Sequence, residues 1–314
     1  MYFIYRTSVA AKLQKLCRLA VIIVSLLAFS TKTMLVIKTE KELKSHLSSF
    51  GNGESLGLVP TMGALHHGHV SLVRRAISEN DNTVVSIFIN PTQFNNREDL
   101  EKYPQSLIAD IDILEKLSNK IAVFAPSVEE MYPNGVGSTS YMFDGLDQVM
   151  EGAFREGHFN GVGTVVETLL KLIKPNKAYF GEKDFQQLQI IRKLVEIKDI
   201  PVDIIGCPIV REPNGLAMSS RNKRLSTTLR KEAGLIYKTL ETAKKKFGTE
   251  SAKSIMDWVK DQFKGHPFLK LEYVEIVDVG TLMPIKRKQD NIKYRAFMAV
   301  YANDVRLIDN IALN

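Results

Sequence analysis

Four short polar clusters of the sequence contain the histidines, cations and side-chain amides that a phosphate-handling enzyme site uses. The clusters are PTMGALHHGH at 60–69, NPTQF at 90–94, GEKDFQQ at 181–187 and REPNGLAMSSR at 211–221. Each one directly follows a run of β-forming residues, at 56–59, 84–89, 177–180 and 202–210. Ligands bind at the carboxyl ends of the strands in an open parallel sheet, so we predict that the four clusters meet in one crevice.

The first cluster places His66 and His69 around Gly68, immediately before an amphipathic helix. Glycine lets the backbone approach a ligand, and a helix start offers free N–H groups and a positive dipole end to phosphate oxygens. Histidines there can neutralise charge that grows on a leaving pyrophosphate. The same pattern also fits an ordinary turn with surface histidines. A metal site is disfavoured, because no carboxylate or cysteine stands at a helpful spacing.

Two further clusters supply cations and hydroxyls. The sequence contains neither the GxxxxGK[ST] phosphate loop nor the GxGxxG fingerprint. A nucleotide would therefore depend on Lys183 in the third cluster and on Ser219, Ser220 and Arg221 in the fourth. Each has a simpler interpretation, since the first can be a surface turn and the second a helix cap.

The remaining polar residues are neutral. Asn90, Thr92 and Gln93 favour a small polar organic substrate over a phosphate, and the glutamines at 186, 187 and 189 repeat that chemistry. A buried glutamine bonded to the backbone is the structural alternative for each of them.

Composition excludes several classes of protein. The 314 residues are 45% hydrophobic with 2 cysteines, which rules out disorder, a collagen or coiled-coil chain and a disulfide framework. The net charge of +7 does not indicate a nucleic-acid binder, because residues 1–33 carry +5 of it and the remainder is nearly neutral. The lysines at 244–246 are interpreted as a solvated helix face. Cysteine usage favours the cytoplasm.

Residues 1–33 do not resemble the rest of the chain. Their apolar run, 19–29, is shorter than the roughly 20 residues that span a bilayer, so no membrane-spanning helix is expected. As a signal peptide the segment lacks a good cleavage site. Three interpretations remain open: translation that starts at Met34, a signal or anchor, and an additional helix.

Beyond Met34, strands alternate with helices, which predicts a parallel sheet covered by helices. After residue 210 the pattern changes to amphipathic helices at 229–247 and 254–263 and strands at 271–279 and 295–302. A turn is predicted at Asn303 and Asp304.

Taken together, PTMGALHHGH, SIFINPTQF, EGHFNGV, GEKDFQQLQIIRKLV, REPNGLAMSSRN and VRLIDN resemble the pantothenate synthetases, the ATP-dependent pantoate–β-alanine ligases. The resemblance is collinear from Met34 to the carboxyl end. It implies an α/β fold with a doubly wound, Rossmann-like domain at 34–209 and a smaller α+β lid domain at 210–314. It also implies a homodimer and a two-step reaction through a pantoyl adenylate, with Mg²⁺ accompanying ATP.

The resemblance further implies roles for individual residues. His69, His66 and Lys183 would be catalytic, with His69 the proton donor. Gln93 and Gln187 would bind pantoate, Gln93 would also bind β-alanine, and Asp110 would bind the metal. The residues implied to contact ATP are Met62, Gly63, Ala64, Leu65, His66, His67, Gly68, His69, Gly181, Glu182, Lys183, Asp184, Val210, Met218, Ser219, Ser220 and Arg221. His67 stands where the family commonly has an acidic or polar residue and is expected to point away from ATP.

Two rival functions remain at this stage. A nucleotidyltransferase of the same superfamily that acts on a phosphorylated acceptor would need more cations beside Asn90 and Gln93. An RNA-binding relative of aminoacyl-tRNA synthetases would need a more basic body.

Overall fold

A computed structural model describes residues 34–94 and 97–314, without the side chains of Arg97 and Asp99. The expectations for residues 1–33 lie outside this range. Residues Met34–Asn314 form one compact unit. In the described part of the chain, no helix combines the length and apolar character needed to cross a membrane.

Six strands form one sheet in which every hydrogen-bonded pair is parallel, in the order β1-β4-β3-β2-β5-β6. The strands are β1 Leu35–Ile37, β2 Leu56–Thr61, β3 Asn82–Ile87, β4 Ile121–Phe124, β5 Lys177–Gly181 and β6 Asp203–Cys207. This sheet, with a second antiparallel sheet after it, confirms the predicted fold class. Strand β4 was not predicted, because its four apolar residues show no alternation that would separate a strand from a buried helix turn.

Helices connect these strands and cover the sheet. In chain order they are α1 Glu40–Leu47, α2 His67–Glu79, α3 Arg97–Glu101, α4 Leu107–Glu115, α5 Val128–Met131, α6 Glu151–Phe154, α7 His158–Ile173 and α8 Phe185–Ile197. Short 3₁₀ turns follow β3 at Pro91–Gln93 and β5 at Glu182–Asp184.

The side of the sheet on which successive strands are added changes at β2. From β2 it moves to β3 and then β4, and it returns to the other side of β2 to form β5 and β6. The carboxyl ends of β2 and β5 therefore lie side by side at a topological switch point, where open α/β sheets bind ligands. The first and third polar clusters of the sequence follow these two strands.

Burial on both faces explains why the strands read as continuous apolar runs. Leu58 and Val84 pack into an apolar cluster on one face, whereas the next residues along the chain, Val59 and Val85, pack into a cluster on the other. Successive strand residues point to opposite faces, so a sheet buried on both sides needs apolar residues at every position.

The second sheet is antiparallel and has the order β7-β8-β9, with β7 Leu269–Asp278, β8 Tyr294–Ala302 and β9 Val305–Ala312. Its apolar face packs against α9 Thr227–Glu232, α10 Gly234–Phe247 and α11 Ala252–Phe263. Its first two strands and the turn at Asn303 were predicted, but β9 was not. The division into two domains at residue 210 stays a prediction.

The single helix predicted at 229–247 is interrupted at Ala233, and the prediction was wrong on this point. The Asn214 side-chain amide donates a 2.7 Å hydrogen bond to the Arg230 carbonyl oxygen. That carbonyl is the one that Gly234 N–H would use in a continuous helix. A Cβ on Gly234 would also lie 2.8 Å from the Asn214 carbonyl oxygen. The loop before α9 therefore occupies the position that a straight helix requires.

Helix α7 packs closely against the 3₁₀ turn after β3. A Cβ on Gly161 would lie 2.3 Å from the Thr92 carbonyl oxygen and 2.9 Å from Gln93 N. The Gly161 carbonyl oxygen accepts a 3.0 Å hydrogen bond from Asn90 Nδ2. This close approach of two backbone segments fixes where the second polar cluster sits.

We predict that Gly161→Ala destabilises the protein, because neither backbone segment can move away without disturbing the buried helix. Overpacking of this kind costs about 1–3 kcal/mol in free energy of unfolding. Gly137→Ala is the matched control, since a Cβ there would meet no atom within 4 Å. Urea unfolding of both variants measures the difference, and equal midpoints would contradict the prediction.

Candidate active site

The loop after β2 turns sharply before it enters α2. Gly63 and Ala64 both have a positive φ, +76° and +49°. Thr61 Oγ1 accepts a 3.1 Å hydrogen bond from Gly63 N and donates a 2.8 Å bond to the Ser86 carbonyl oxygen. A Cβ on Gly63 would lie 2.9 Å from a carboxylate oxygen of Asp110, so a side chain would be both strained and crowded there.

Asp110 supports this loop from behind. Its carboxylate accepts hydrogen bonds from Ala64 N at 2.8 Å and Leu65 N at 2.7 Å, and the residue is 2% exposed. Burial raises the pKa of Asp110, while the two backbone N–H bonds act in the opposite direction. Both carboxylate oxygens therefore serve the loop. Asp110 does not line the cavity described below, and its role as a ligand of Mg²⁺ stays a prediction.

His66 and His69 lie at the start of α2 with their rings stacked at 4.1 Å between centroids. His66 is the N-cap residue, and its Nδ1 accepts a 3.1 Å hydrogen bond from Gly68 N. This bond places the proton of the neutral ring on Nε2. A Cβ on Gly68 would lie 2.8 Å from His66 Cε1, so the glycine in HxGH leaves room for the capping ring.

Both histidines are neutral at pH 7. Burial, followed by the charges of Lys183 and Lys223, lowers the pKa of His66 to about 4. Burial is also the largest cause for His69, whose pKa falls to about 3 with further contributions from His66, Lys183 and Lys223. The prediction that these two histidines neutralise charge on a leaving pyrophosphate stays a prediction. They offer N–H donors, and a bound polyanion would raise their pKa values.

Lys183 lies in the 3₁₀ turn after β5 and is largely buried, with its Nζ 3.5 Å from Asp184 Oδ1. The fourth cluster approaches the first through Ser220, whose Oγ donates a 3.1 Å hydrogen bond to the Ala64 carbonyl oxygen. Ser219 caps the 3₁₀ turn Ser220–Arg224 by accepting a bond from Arg221 N. The hydroxyls of this cluster therefore help to hold the site together.

These elements enclose a cavity of about 260 Å³. Its polar wall contains residues from all four clusters, which confirms that the clusters meet in one crevice. The predicted site residues on this wall are Met62, His66, Gly68, His69, Gln93, Gly181, Lys183, Asp184, Gln187, Val210, Met218, Ser219, Ser220 and Arg221. A second wall is apolar and contains Val162, Val165 and Leu169 of α7.

Five residues predicted to contact ATP are not on the wall. Gly63, Ala64 and Leu65 are buried in the loop, and His67 is exposed. The Glu182 carboxylate accepts a 3.2 Å bond from Arg295 Nη2 instead of facing the cavity.

The glutamines divide into two groups. Gln93 and Gln187 line the cavity, and Gln93 Nε2 lies 2.7 Å from Met62 Sδ. Gln186 also borders the cavity, but it is 3% exposed and its amide bonds the carbonyl oxygens of Leu146 and Val149. Gln189 bonds the Val279 carbonyl oxygen. The structural alternative therefore holds for Gln186 and Gln189.

Sequence reasoning missed two side chains that hold Gln93. His158 Nδ1 donates a 2.8 Å hydrogen bond to the Gln93 carbonyl oxygen, and Arg155 Nη2 donates a second at 3.1 Å. Arg155 Nη1 lies 3.1 Å from His158 Nε2, which accepts because the other ring nitrogen donates. Burial lowers the pKa of His158 to about 4. Its place in the run EGHFNGV was the available signal, but only the fold shows what the ring contacts.

The fold and the cavity define an α/β nucleotide-handling enzyme, and comparison with known proteins identifies the family. Residues 35–312 match the family described as pantoate-beta-alanine ligase. The chain is 56% identical over 280 residues to pantothenate synthetase of Christiangramia forsetii, which covers 89% of this chain and 97% of that one. Identity to the enzyme of Bacteroides thetaiotaomicron is 50% over 279 residues, 88% of this chain and 98% of that one.

Solved structures agree with this assignment. The crystal structure of pantothenate synthetase from Thermus thermophilus has a TM-score of 0.82 at 39% identity, covering 89% of this chain and 99% of that chain. Pantoate-beta-alanine ligase from Francisella tularensis, crystallised with beta-gamma ATP and β-alanine, has a TM-score of 0.73 at 38% identity, covering 89% and 98%. The chain belongs to the pantoate–β-alanine ligase family. It is an ATP-dependent ligase that condenses pantoate with β-alanine, and the two rival functions receive no support.

We predict that His69 makes the free protein less stable at mildly acidic pH. The unfolded chain protonates His69 near pH 6.5 and the folded chain only near pH 3, so stability is full above 6.5 and falls as the pH drops below it. The loss is about 1.4 kcal/mol for each pH unit. The difference in unfolding free energy between wild type and His69→Gln should therefore shrink from pH 7 to pH 5.

Urea unfolding at several pH values between 5 and 7 measures this difference. The control is His67→Gln, at an exposed position on the same helix, whose curve should run parallel to that of the wild type. A His69→Gln curve parallel to the wild type would show that His69 is protonated equally in both states.

Proposed function

We propose that ATP binds with its phosphates at the start of α2, between Lys183 on one side and Ser219–Arg221 on the other. The observation that carries this proposal is that the polar wall of one cavity has two parts. One part contains Lys183, Arg221 and the start of α2, and we call it the cationic wall; the other contains the neutral amides of Gln93 and Gln187. The cationic wall suits a triphosphate, because helix N-termini and lysine stabilise phosphate oxygens. The amide side suits the hydroxyl and carboxylate oxygens of pantoate.

In this arrangement the reaction has two steps. A pantoate carboxylate oxygen attacks the α-phosphorus of ATP, and the bond between the α- and β-phosphates breaks, so that pyrophosphate leaves and pantoyl adenylate remains. The amine of β-alanine then attacks the acyl carbon and displaces AMP. Adenylation needs mainly alignment of the reacting atoms and stabilisation of the charge that moves to pyrophosphate.

Lys183 supplies a positive charge to that developing pyrophosphate. His66 donates a hydrogen bond from Nε2, since its Nδ1 is engaged by Gly68 N. His69, whose Nδ1 is buried without a hydrogen-bond partner, becomes a proton donor only after the phosphates raise its pKa. Gln93 holds pantoate in the first step and β-alanine in the second.

The residues present offer few ligands to a Mg²⁺ ion that accompanies ATP. Within the described ranges, no three His, Cys, Asp or Glu side chains gather into a group that could hold a metal ion. Both oxygens of Asp110 are occupied by the loop. Mg²⁺ therefore enters our proposal only as part of the ATP substrate, since it binds nucleotides through few protein ligands.

Two further proposals do not rest on the geometry of the cavity. The homodimer rests on the family resemblance, and the cytoplasmic location rests on the presence of only two cysteines.

The two-step reaction predicts that the protein exchanges labelled pyrophosphate into ATP when pantoate and Mg²⁺ are present and β-alanine is absent. The adenylate forms before the amine enters, so the first step can run in both directions alone. Addition of β-alanine should then give one AMP for each pantothenate. Formation of ADP, or exchange that requires β-alanine, would exclude the adenylate route.

Gln93→Ala should weaken pantoate binding and leave ATP binding nearly unchanged. Loss of the amide leaves buried polar atoms of the substrate unpaired, which costs about 1–3 kcal/mol, or roughly 5-fold to 150-fold in affinity. Arg155 and His158 bond the backbone carbonyl of residue 93, so the turn should survive the substitution.

Calorimetric titration of pantoate and of ATP measures the two affinities separately. Gln189→Ala is the control, because its amide bonds the Val279 carbonyl oxygen away from the cavity wall. Equal losses of affinity for both substrates would indicate a structural role for Gln93.

A further inference from the structure

The turn that carries Lys183 is held by a residue of the second sheet. Asn310 lies in β9, 127 residues further along the chain, and is 1% exposed. Its Nδ2 donates hydrogen bonds to two successive carbonyl oxygens of the turn, Glu182 at 2.9 Å and Lys183 at 2.8 Å. A primary amide has two N–H groups, so both are used on the backbone of the catalytic turn.

The orientation of the Asn310 amide is fixed by its other contacts. Arg295 Nη1 donates to Asn310 Oδ1, and a guanidinium group can only donate, so the NH₂ group must face the turn. Arg295 is itself held by the Glu182 carboxylate at 3.2 Å and by the Phe185 ring, 3.9 Å from the guanidinium carbon. Asn310 therefore holds the turn in one arrangement.

The neighbouring residue holds the other cation-bearing loop. Arg211 Nη1 and Nη2 donate to the two carboxylate oxygens of Asp309, at 2.6 and 3.0 Å. Arg211 Nη1 also donates to the Gly215 carbonyl oxygen at 3.0 Å. Asp309 Oδ1 accepts a 2.7 Å bond from Asn310 N, so the two side chains are joined through one short piece of β9.

We propose that Asn310 is a positioning residue that sets Lys183 in register with the loop carrying Ser219–Arg221. Asn310 is absent from the cavity wall, so it acts through the turn and not through a contact with substrate. Adjacent residues of β9 fix the two loops that supply the cationic wall, and a displacement of about 1 Å at such a group can slow a reaction about a hundredfold. This inference rests on the proposed role of Lys183 at the phosphates.

A double-mutant cycle of Lys183 and Asn310 on the full chain tests the proposal. The measured quantity is the rate of pyrophosphate exchange into ATP in the absence of β-alanine. Lys183→Ala should slow exchange about 10²- to 10³-fold. Asn310→Ala should slow it about 10- to 100-fold, with a larger effect on kcat than on KM for pantoate. The double variant should be no more than about twofold slower than Lys183→Ala, because Asn310 has no role once the lysine is absent.

Asn80→Ala is the matched control. Asn80 is also buried, and its Nδ2 donates to the Ala76 carbonyl oxygen at 2.8 Å and to Tyr179 Oη at 2.7 Å, outside the cavity wall. It should lower stability while it leaves the exchange rate within about twofold of the wild type. If Asn310→Ala does not fold, Asn310→Asp serves instead, because it keeps the size of the side chain and removes both donors to the turn.

The outcomes separate the two proposals. Exchange losses that multiply in the double variant, or an Asn310 variant with the wild-type rate, would overturn the positioning role alone. A Lys183→Ala enzyme with the wild-type rate would overturn the role of Lys183 and the positioning role with it. Losses in both single variants that do not multiply in the double variant, together with a near wild-type rate for Asn80→Ala, support the inference.

Discussion

Two buried backbone N–H groups, those of Ala64 and Leu65, set the constraint on which the site depends. The loop from β2 to α2 must pass through two positive-φ residues to aim His66 and His69 at the cavity, and in doing so it turns these N–H groups away from any strand partner. Buried N–H groups without partners are costly, and the Asp110 carboxylate accepts both of them. A carboxylate from α4 thus determines where the histidine helix begins.

Burial also decides which residues carry charge. Burial keeps His66 and His69 neutral, so the positive charge on the cavity wall in the free protein comes from Arg155, Lys183 and Arg221. A neutral imidazole avoids repulsion from the nearby lysines and still offers an N–H group to a phosphate. Burial, and to a smaller extent the same lysines, hold the two pKa values down, so a bound polyanion that offsets the lysine charge would raise them. If ATP binds as we propose, protonation of the two rings is linked to nucleotide binding.

The sequence was most informative about features that neighbouring residues along the chain determine. Apolar runs predicted strands β2, β3, β5 and β6 of the doubly buried sheet but not β4, and the clusters after these four strands predicted the crevice, because parallel strands bring their carboxyl ends to one edge. It was least informative where long-range contacts decide. Nothing local shows that Asn214 interrupts the helix at Ala233, that Asp110 bonds the loop backbone, or that Arg155 and His158 grip the Gln93 carbonyl.

The second sheet completes a site that the parallel sheet cannot hold by itself. The loops after β5 and β6 leave the sheet at the strand ends, where ladder hydrogen bonds stop, yet they bring Lys183 and residues 219–221 to one cavity. Asp309 and Asn310 accept and donate the bonds that these loops need, and their own strand is held on its other side by pairing with β8. A polar network buried this deeply is specific because each member has its partner. Asp309 and Asn310 in the motif VRLIDN therefore matter more for the contacts that they make with these two loops than for the formation of β9.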